Sequence, residues 1–302
     1  MAAQQSREQR GVLFRDELMA RHTTWRVGGP ADRYYRPADV DDLAQFLAAL
    51  PVGEPVHWLG LGSNLLVRDG GIRGTVIALS GTLDGLTRLD GPRVRAEAGV
   101  SCAKVARFCS RQGLSGAEFL AGIPGTLGGA LAMNAGAFGG ETWVLVESVE
   151  TLDRDGRCHR REPQVYRIGY RRVEGPPDEW FVAATLGLTE GTGEAAAKRV
   201  RELLDRRGET QPIGEPSAGS VFRNPPGDHA ARLIETCGLK GARIGGACVS
   251  EKHANFIVNT GGATAADIEA LMARVAETVE RMQGVRLQPE VHILGEAEGG
   301  HG

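Results

Sequence analysis

The chain has little that would mark it as secreted, metal-bound or made to hold a polyanion. Its five cysteines (Cys102, Cys109, Cys158, Cys237, Cys248) contain no C-x-x-C pair and leave one odd, which excludes a disulfide scaffold and a zinc ribbon. Reduced thiols and a cytoplasmic location are expected. The seven histidines show no ligand spacing, so no metal site is expected. Charge of one sign is lacking: 35 Lys+Arg stand against 38 Asp+Glu, a balance unlike that of proteins whose main partner is nucleic acid or an anionic membrane. Lysine is scarce, with four residues among the 35 basic ones. The N-terminus, MAAQQSREQR, has no apolar core and reads as no signal peptide. One uncharged run, Phe119 to Gly140, is long enough at 22 residues to span a bilayer. It holds seven glycines, a proline and an asparagine, and is read as buried loop and turn; no membrane insertion is expected.

Glycine is what the chain has in excess. Its 43 glycines in 302 residues are about twice the usual share and follow no G-X-Y period. They cluster in short runs, as at tight turns and close backbone approaches. Length allows about two domains. Residues 1–22 read as a polar lead-in with a short amphipathic segment (Val12, Leu13, Leu18). Short apolar runs then alternate with Gly-rich turns, giving strands at Val56–Leu59, Leu65–Val67, Val76–Leu79 and Val94–Ala98. Asp39–Leu50 is patterned as a helix, and Ser101 caps another that Gly113 stops. Residues 144–152 and 181–188 read as strands, and residues 193–208 as a charged helix. The Pro-containing stretch after it is the best domain boundary. Beyond it, Thr264 and Asp267 open a long helix with Ile268, Leu271, Met272, Val275, Val279 and Met282 on one stripe. The expected division is 1–22, 23–208 in two lobes (about 23–80 and 81–208), 209–296, and a tail at 297–302.

Three segments carry candidate chemistry. Gly60-Leu61-Gly62-Ser63-Asn64-Leu65 follows a strand, and its backbone N–H groups suit a phosphate. It lacks the third glycine of a dinucleotide fingerprint and the Gly-Lys-Ser/Thr of a P-loop, and a plain strand-connecting turn is the alternative. Gly122-Ile123-Pro124-Gly125 with Gly128, Gly129 and Ala130, running on to Asn134, Gly136 and Ala137, reads as a cofactor cradle beside a helix N-terminus near Thr126. Tight helix–sheet packing is the alternative there. The third segment, Ser217-Ala218-Gly219-Ser220-Val221-Phe222-Arg223-Asn224-Pro225, brings a hydroxyl, a cation and an amide together, or is a turn with solvated polar groups. Tyr170-Arg171 and Glu290 stand apart and taken singly read as surface charges.

In this order these segments resemble the UDP-N-acetylenolpyruvoylglucosamine reductase (UDP-N-acetylmuramate dehydrogenase) family. The resemblance runs from Thr23-Thr24-Trp25-Arg26-Val27-Gly28-Gly29-Pro30-Ala31 to Pro289-Glu290-Val291 and includes Gly245-Gly246 with His253-Ala254-Asn255-Phe256. It implies an α+β chain: a vanillyl-alcohol-oxidase-type FAD-binding fold of two lobes and a C-terminal α+β substrate domain. It implies non-covalent FAD, with the glycine-rich segments around its pyrophosphate and isoalloxazine, and NADPH as co-substrate. By it, Ser220 matches the proton donor, Arg171 and Glu290 the pair that stabilises the intermediate, and Tyr170, Arg223, Asn224 and His253 lie toward the substrate. The implied reaction reduces an enolpyruvyl UDP-sugar in cell-wall peptidoglycan synthesis, by a cytoplasmic monomer. The alternatives are another oxidoreductase of the same flavin fold, or a non-catalytic flavin- or nucleotide-sugar-binding module. Three positions depart from the family pattern: Val173 stands where a serine is usual, Thr210 where a lysine precedes Gln211-Pro212, and Arg223 replaces a lysine. Ser220 follows Arg171 by 49 positions, too few for the tyrosine-bearing loop of the longer subtype, which implies the shorter one.

Overall fold

The computed structural model describes residues 10–299. Two sheets and a C-terminal α+β unit carry the chain. In the first sheet the strands run Val12–Leu18, Pro30–Arg36, Ile72–Ala78, Val56–Leu59 across the sheet. Pro30–Arg36 and Val56–Leu59 both pair parallel with Ile72–Ala78. Helix α1 (Val40–Ala49) makes the crossover that a parallel pair requires. Asp39 caps it by accepting the Asp42 N–H, and its buried face, Leu43 and Leu47, packs on Ile77, Leu79 and Leu152.

Val12–Leu18, expected in a lead-in, is a strand antiparallel to Pro30–Arg36 at the sheet edge. Most of its side chains are exposed, so backbone pairing places it and no hydrophobic period announces it.

The second sheet is antiparallel, in the order Cys158–Arg161, Val146–Asp153, Glu179–Gly187, Arg93–Glu97, Leu86–Arg88. Its apolar face is covered by α2 (Cys102–Arg111), capped by Ser101, and α3 (Leu127–Met133), while α4 (Gly193–Thr210) packs on α2. Val94, Ala96, Val105, Leu127, Leu131, Val149, Ala184 and Leu186 form the shared core. α4 runs two residues past its expected end, to Thr210, where Pro212 stops it.

The C-terminal unit has three short antiparallel strands, Arg243–Ile244, Ala247–Val249 and Ile257–Asn259, against α5 (Ala230–Thr236) and α6 (Ala265–Gln283). Thr264 and Asp267 form the expected capping box, and Gly284 ends α6 with φ +69°.

This unit is tied to the first lobe at several points. The last strand, His292–Leu294, pairs parallel with Leu65–Val67, so it leaves the 209–296 segment for the first lobe. Trp25 is fully buried in the C-terminal core and donates Nε1–H to the Ile257 carbonyl at 2.7 Å. Arg68 makes a two-pronged pair with Glu269 at 2.9 and 2.7 Å. The Asp69 carboxylate accepts the Ala265 and Ala266 N–H groups at 3.0 Å each, capping α6 from the other lobe. These ties fix the wall contributed by the C-terminal unit relative to the glycine loops. No described helix is long and apolar enough to cross a membrane.

Candidate active site

A cleft of about 540 Å³ opens where the two lobes and the C-terminal unit meet. The turn Gly60–Leu65 forms one wall. Gly62 sits at φ +63°, and a Cβ there would lie 2.1 Å from the His22 carbonyl oxygen, so only glycine fits. A Cβ on Gly60 would lie 2.5 Å from Thr126 Oγ1, which is how closely the two glycine-rich segments approach. Among the described residues, no partner takes the N–H groups of Leu61, Gly62, Ser63, Asn64 or Gly125. Unpaired N–H groups on a cleft wall suit an anion.

The second segment divides in two. Gly125 faces open space, its nearest neighbour being Ser63 Oγ at 3.4 Å from a built Cβ. Gly128 instead packs on the second sheet, where a Cβ would lie 2.9 Å from that of Ala98. The helix N-terminus expected near Thr126 is present, but the N–H groups of its first turn are taken within the protein. Leu127 N–H goes to the Val100 carbonyl and Gly128 N–H to that of Ala98, both at 2.8 Å; Gly129 N–H goes to Thr126 Oγ1 and Ala130 N–H to the Thr126 carbonyl.

A second cleft of about 310 Å³ adjoins the first and shares Trp58, Leu59, Gly60, Thr126, Gly129 and Ala132 with it. Its aromatic wall includes Trp58 and Trp180, stacked at 5.2 Å, with Tyr166 and Phe181. Trp58 Nε1 and the Tyr166 hydroxyl are buried without a hydrogen-bond partner among the described residues, two polar groups beside an open cavity. Burial pushes the Tyr166 hydroxyl up to about 12. A ligand that is polar in its middle, at the shared glycines, and planar at both ends fits this double cleft.

Arg171 is brought in by a hairpin, Arg167–Gly169 paired with Arg172–Glu174. It occupies the second loop position with φ +54°, its guanidinium 5.2 Å from the Tyr170 ring centroid. Asn134, the left-handed cap of α3, reaches across to the hairpin: its Nδ2 donates to the Gly169 carbonyl at 3.2 Å and to Glu141 at 2.9 Å, and its Oδ1 accepts the Trp143 N–H. Arg171 Nε donates to Glu290 Oε1 at 2.8 Å across 119 positions of sequence. Burial pushes the Glu290 carboxyl above its ordinary range, against the opposing pull of Arg171 and Arg223.

Ser220 reaches the same wall through backbone pairing. Glu290 N–H donates to the Val221 carbonyl at 2.7 Å, and Phe222 bridges Pro289. The buried Asn255 clamps Phe222 from both sides, its Oδ1 accepting the N–H at 3.0 Å and its Nδ2 donating to the carbonyl at 2.8 Å. Asn64 Nδ2 donates to the Glu290 carbonyl at 3.1 Å and so ties the glycine turn to the same strand. No hydrogen bond reaches the Ser220 hydroxyl among the described residues. Ser220, Arg171 and Glu290 all line the larger cleft.

Of the cofactor candidates, Gly60, Leu61, Gly62, Ser63, Asn64, Leu65, Gly122, Ile123, Pro124, Gly125, Gly129, Ala130, Gly136 and Ala137 line that cleft; Gly128 lines the adjoining one, and Asn134 lines neither. The substrate candidates stand outside its lining. Asn224 accepts the Ala230 N–H at the start of α5, His253 accepts the Asn255 N–H, Arg223 has a buried, unpartnered Nε, and Tyr170 is half exposed beneath Arg171. The sequence reading missed Arg207, Gln211 and His292, which line the cleft, and Asn255, which braces it. Arg207 lies in a charged helix that reads as solvated, and Asn255 lies within His253-Ala254-Asn255-Phe256 with no chemistry of its own to mark it.

The Glu290 shift has a consequence for stability. A carboxyl whose pKa is raised on folding stabilises the fold below its ordinary range and loses that contribution as pH rises through the raised value. Glu290→Gln, permanently neutral, is expected to melt with the parent in acid and increasingly above it as pH rises past the ordinary glutamate range. Thermal melts across a pH series check this; a gap that reverses with rising pH would mean that Arg171 outweighs desolvation.

Comparison with known proteins gives the same two parts. A family model described as an FAD binding domain matches residues 31–161. One described as the UDP-N-acetylenolpyruvoylglucosamine reductase C-terminal domain matches residues 211–294. A UDP-N-acetylenolpyruvoylglucosamine reductase of Alkalilimnicola ehrlichii is 64% identical over 99% of this chain and 100% of its own length. One from Nitrosococcus oceani is 63% identical over 95% and 96%. The crystal structure of the reductase from Thermus caldophilus superposes with TM-score 0.81 at 36% identity, covering 95% of this chain and 99% of that one. The two-part α+β fold is therefore the one expected, and the chain belongs to the UDP-N-acetylenolpyruvoylglucosamine reductase family.

Proposed function

We propose that this chain is an FAD-dependent reductase that converts UDP-N-acetylglucosamine enolpyruvate to UDP-N-acetylmuramate with NADPH, a step in making peptidoglycan precursors. The observation that carries the reading is the meeting of Ser220 and the Arg171–Glu290 pair with the unpaired N–H groups of the glycine turn in one cleft. FAD, when bound, supplies hydride relay between NADPH and the enolpyruvyl double bond. The shared glycines suit its diphosphate, the aromatic cleft its adenine and the larger cleft its isoalloxazine together with the sugar nucleotide.

The chain's own groups do the rest. The Arg171 guanidinium holds positive charge where negative charge develops on the enolpyruvyl carboxylate and the carbon beside it. Glu290 fixes Arg171 in place by accepting its Nε–H at 2.8 Å. The Ser220 hydroxyl, without a hydrogen-bond partner among the described residues, holds the proton for that carbon. Arg171→Ala is expected to slow reduction of the sugar nucleotide by roughly 10²–10³-fold while leaving reduction of FAD by NADPH intact, as for loss of one oxyanion donor. Stopped-flow absorbance separates the two half-reactions. The reading includes a cytoplasmic monomer of the shorter subtype, with domains at 23–208 and 209–296 as expected from sequence.

The experiment that tests the proposal at its base is acid precipitation of purified protein. FAD is expected in the supernatant near one per chain, since neither glycine-rich segment holds a cysteine or histidine. Yellow colour retained in the pellet would point to covalent attachment, with His292 in the cleft lining as the first residue to replace. A colourless preparation that takes up no added FAD would overturn the proposal.

A further inference from the structure

Arg171 sits at the tip of a ribbon that has little of its own to hold it. The hairpin pairs Arg167–Gly169 with Arg172–Glu174, and five of those six residues are exposed, Val173 being half-buried. A two-stranded ribbon is marginal at best in water by itself. Val173 and Tyr166 pack on the core of the second lobe and so fix the root of the ribbon. The tip, with Tyr170 half exposed and Arg171 at φ +54°, needs another support.

That support comes from the end of α3. Asn134 is 2% exposed and lies behind the wall that Met133, Ala135 and Gly136 present to the larger cleft. Its Nδ2 donates to the Gly169 carbonyl at 3.2 Å, two positions before Arg171. Two positions after Asn134, the Gly136 carbonyl accepts from Arg171 Nη2 at 3.4 Å, while Glu290 takes Nε from the other side. The Asn134 amide has one usable orientation. Its Nδ2 faces two acceptors, Gly169 and Glu141, and its Oδ1 faces the Trp143 N–H, so a flipped amide would break all three bonds. Its backbone, at φ +44°, is in the left-handed region that asparagine enters more readily than most residues. We propose that Asn134 is the positioning residue for Arg171, touching no ligand itself but tethering the hairpin tip so that the guanidinium stays in the cleft. This rests on the reading that Arg171 stabilises charge developing on the enolpyruvyl group.

The test is Asn134→Asp in the FAD-loaded protein. Aspartate keeps the left-handed cap and an acceptor for the Trp143 N–H, and it sets a carboxylate against the Gly169 carbonyl and Glu141 in place of the two donations. Reduction of the enolpyruvyl UDP-sugar is expected to slow by roughly 10–100-fold, the cost of an unsatisfied buried hydrogen-bonding group read as a rate. Reduction of FAD by NADPH is expected to stay within about twofold of the parent. In an Arg171→Ala background the same substitution is expected to add less than about twofold, because residues that act as a unit do not add. Should Asn134→Asp fail to fold, Asn134→Gly, which suits the left-handed backbone and lacks the side chain, carries the same three readings. Parent rates beside a slowed Arg171→Ala would overturn the proposal alone. So would equal slowing of both half-reactions with a lower melting temperature, since Asn134 would then only close α3. A full further loss in the Arg171→Ala background would overturn it too, by placing the effect elsewhere. Parent rates in Arg171→Ala itself would instead fail the functional reading, and the proposal with it.

Discussion

Ser220→Ala is expected to slow reduction of the enolpyruvyl sugar nucleotide by roughly 10²–10⁴-fold, the range for removing a positioned general acid, and to leave reduction of FAD by NADPH at the parent rate. The asymmetry follows from where the hydroxyl sits. It lies on the wall that the C-terminal unit contributes, held by the pairing of Val221 with Glu290 and by the Asn255 clamp on Phe222. The substitution removes one oxygen atom from a half-buried position that no hydrogen bond reaches among the described residues, so little stability is at stake. A serine is a weak acid. Its neighbours must hold the conjugate alkoxide, and Arg171 is the cation that lines the cleft from the facing hairpin. Stopped-flow traces of the two half-reactions decide the matter. Slowing of the NADPH step would make Ser220 a contact of nicotinamide or flavin, and unchanged rates in both would make it a turn residue.

Gly125→Asp is expected to yield a folded protein that purifies without flavin. The position has room: a Cβ there meets Ser63 Oγ at 3.4 Å and otherwise open cleft, and the backbone φ is not in the left-handed region. What the aspartate adds is negative charge beside the N–H groups proposed to receive the diphosphate. Like charges so placed cost several kcal/mol, or about 10²–10³-fold in affinity. Gly128→Asp makes the contrast. Its side chain would be driven into Ala98 on the second sheet, so it is expected to impair folding as well as flavin content. Absorbance for flavin content, with circular dichroism for fold, reads both variants. Gly125→Asp with the parent's flavin content would show that this segment serves packing alone.

The contrast between these glycines marks how far sequence reached. Composition and spacing pick out both glycine-rich segments, and the strand after Gly62 and the cap at Thr126 lie where the pattern puts them. Sequence does not say which glycine faces a ligand and which faces a strand, because that depends on Ala98, some thirty positions upstream. The same limit hides the Arg171–Glu290 pair, which spans 119 positions and comes together only when the last strand docks on the first lobe. Singly, each residue reads as surface charge. Val12–Leu18 is missed for another reason: an edge strand with mostly exposed side chains has its stability in backbone bonds, which leave no hydrophobic signature. Arg207 is missed because a helix with cations all along it conceals the one that turns inward. The helices α1, α2 and α6 were legible because cap and periodicity agree at the same residues.

The central claim is that these two adjoining clefts hold FAD and that the larger passes reducing equivalents from NADPH to an enolpyruvyl UDP-sugar. Its most direct test is an anaerobic double-mixing experiment on the purified protein. Mixing with NADPH is expected to bleach the oxidised-flavin absorbance, and a second mixing with UDP-N-acetylglucosamine enolpyruvate is expected to restore it with one UDP-N-acetylmuramate formed per flavin. Flavin that bleaches with NADPH but stays bleached in the presence of the sugar nucleotide would contradict the account.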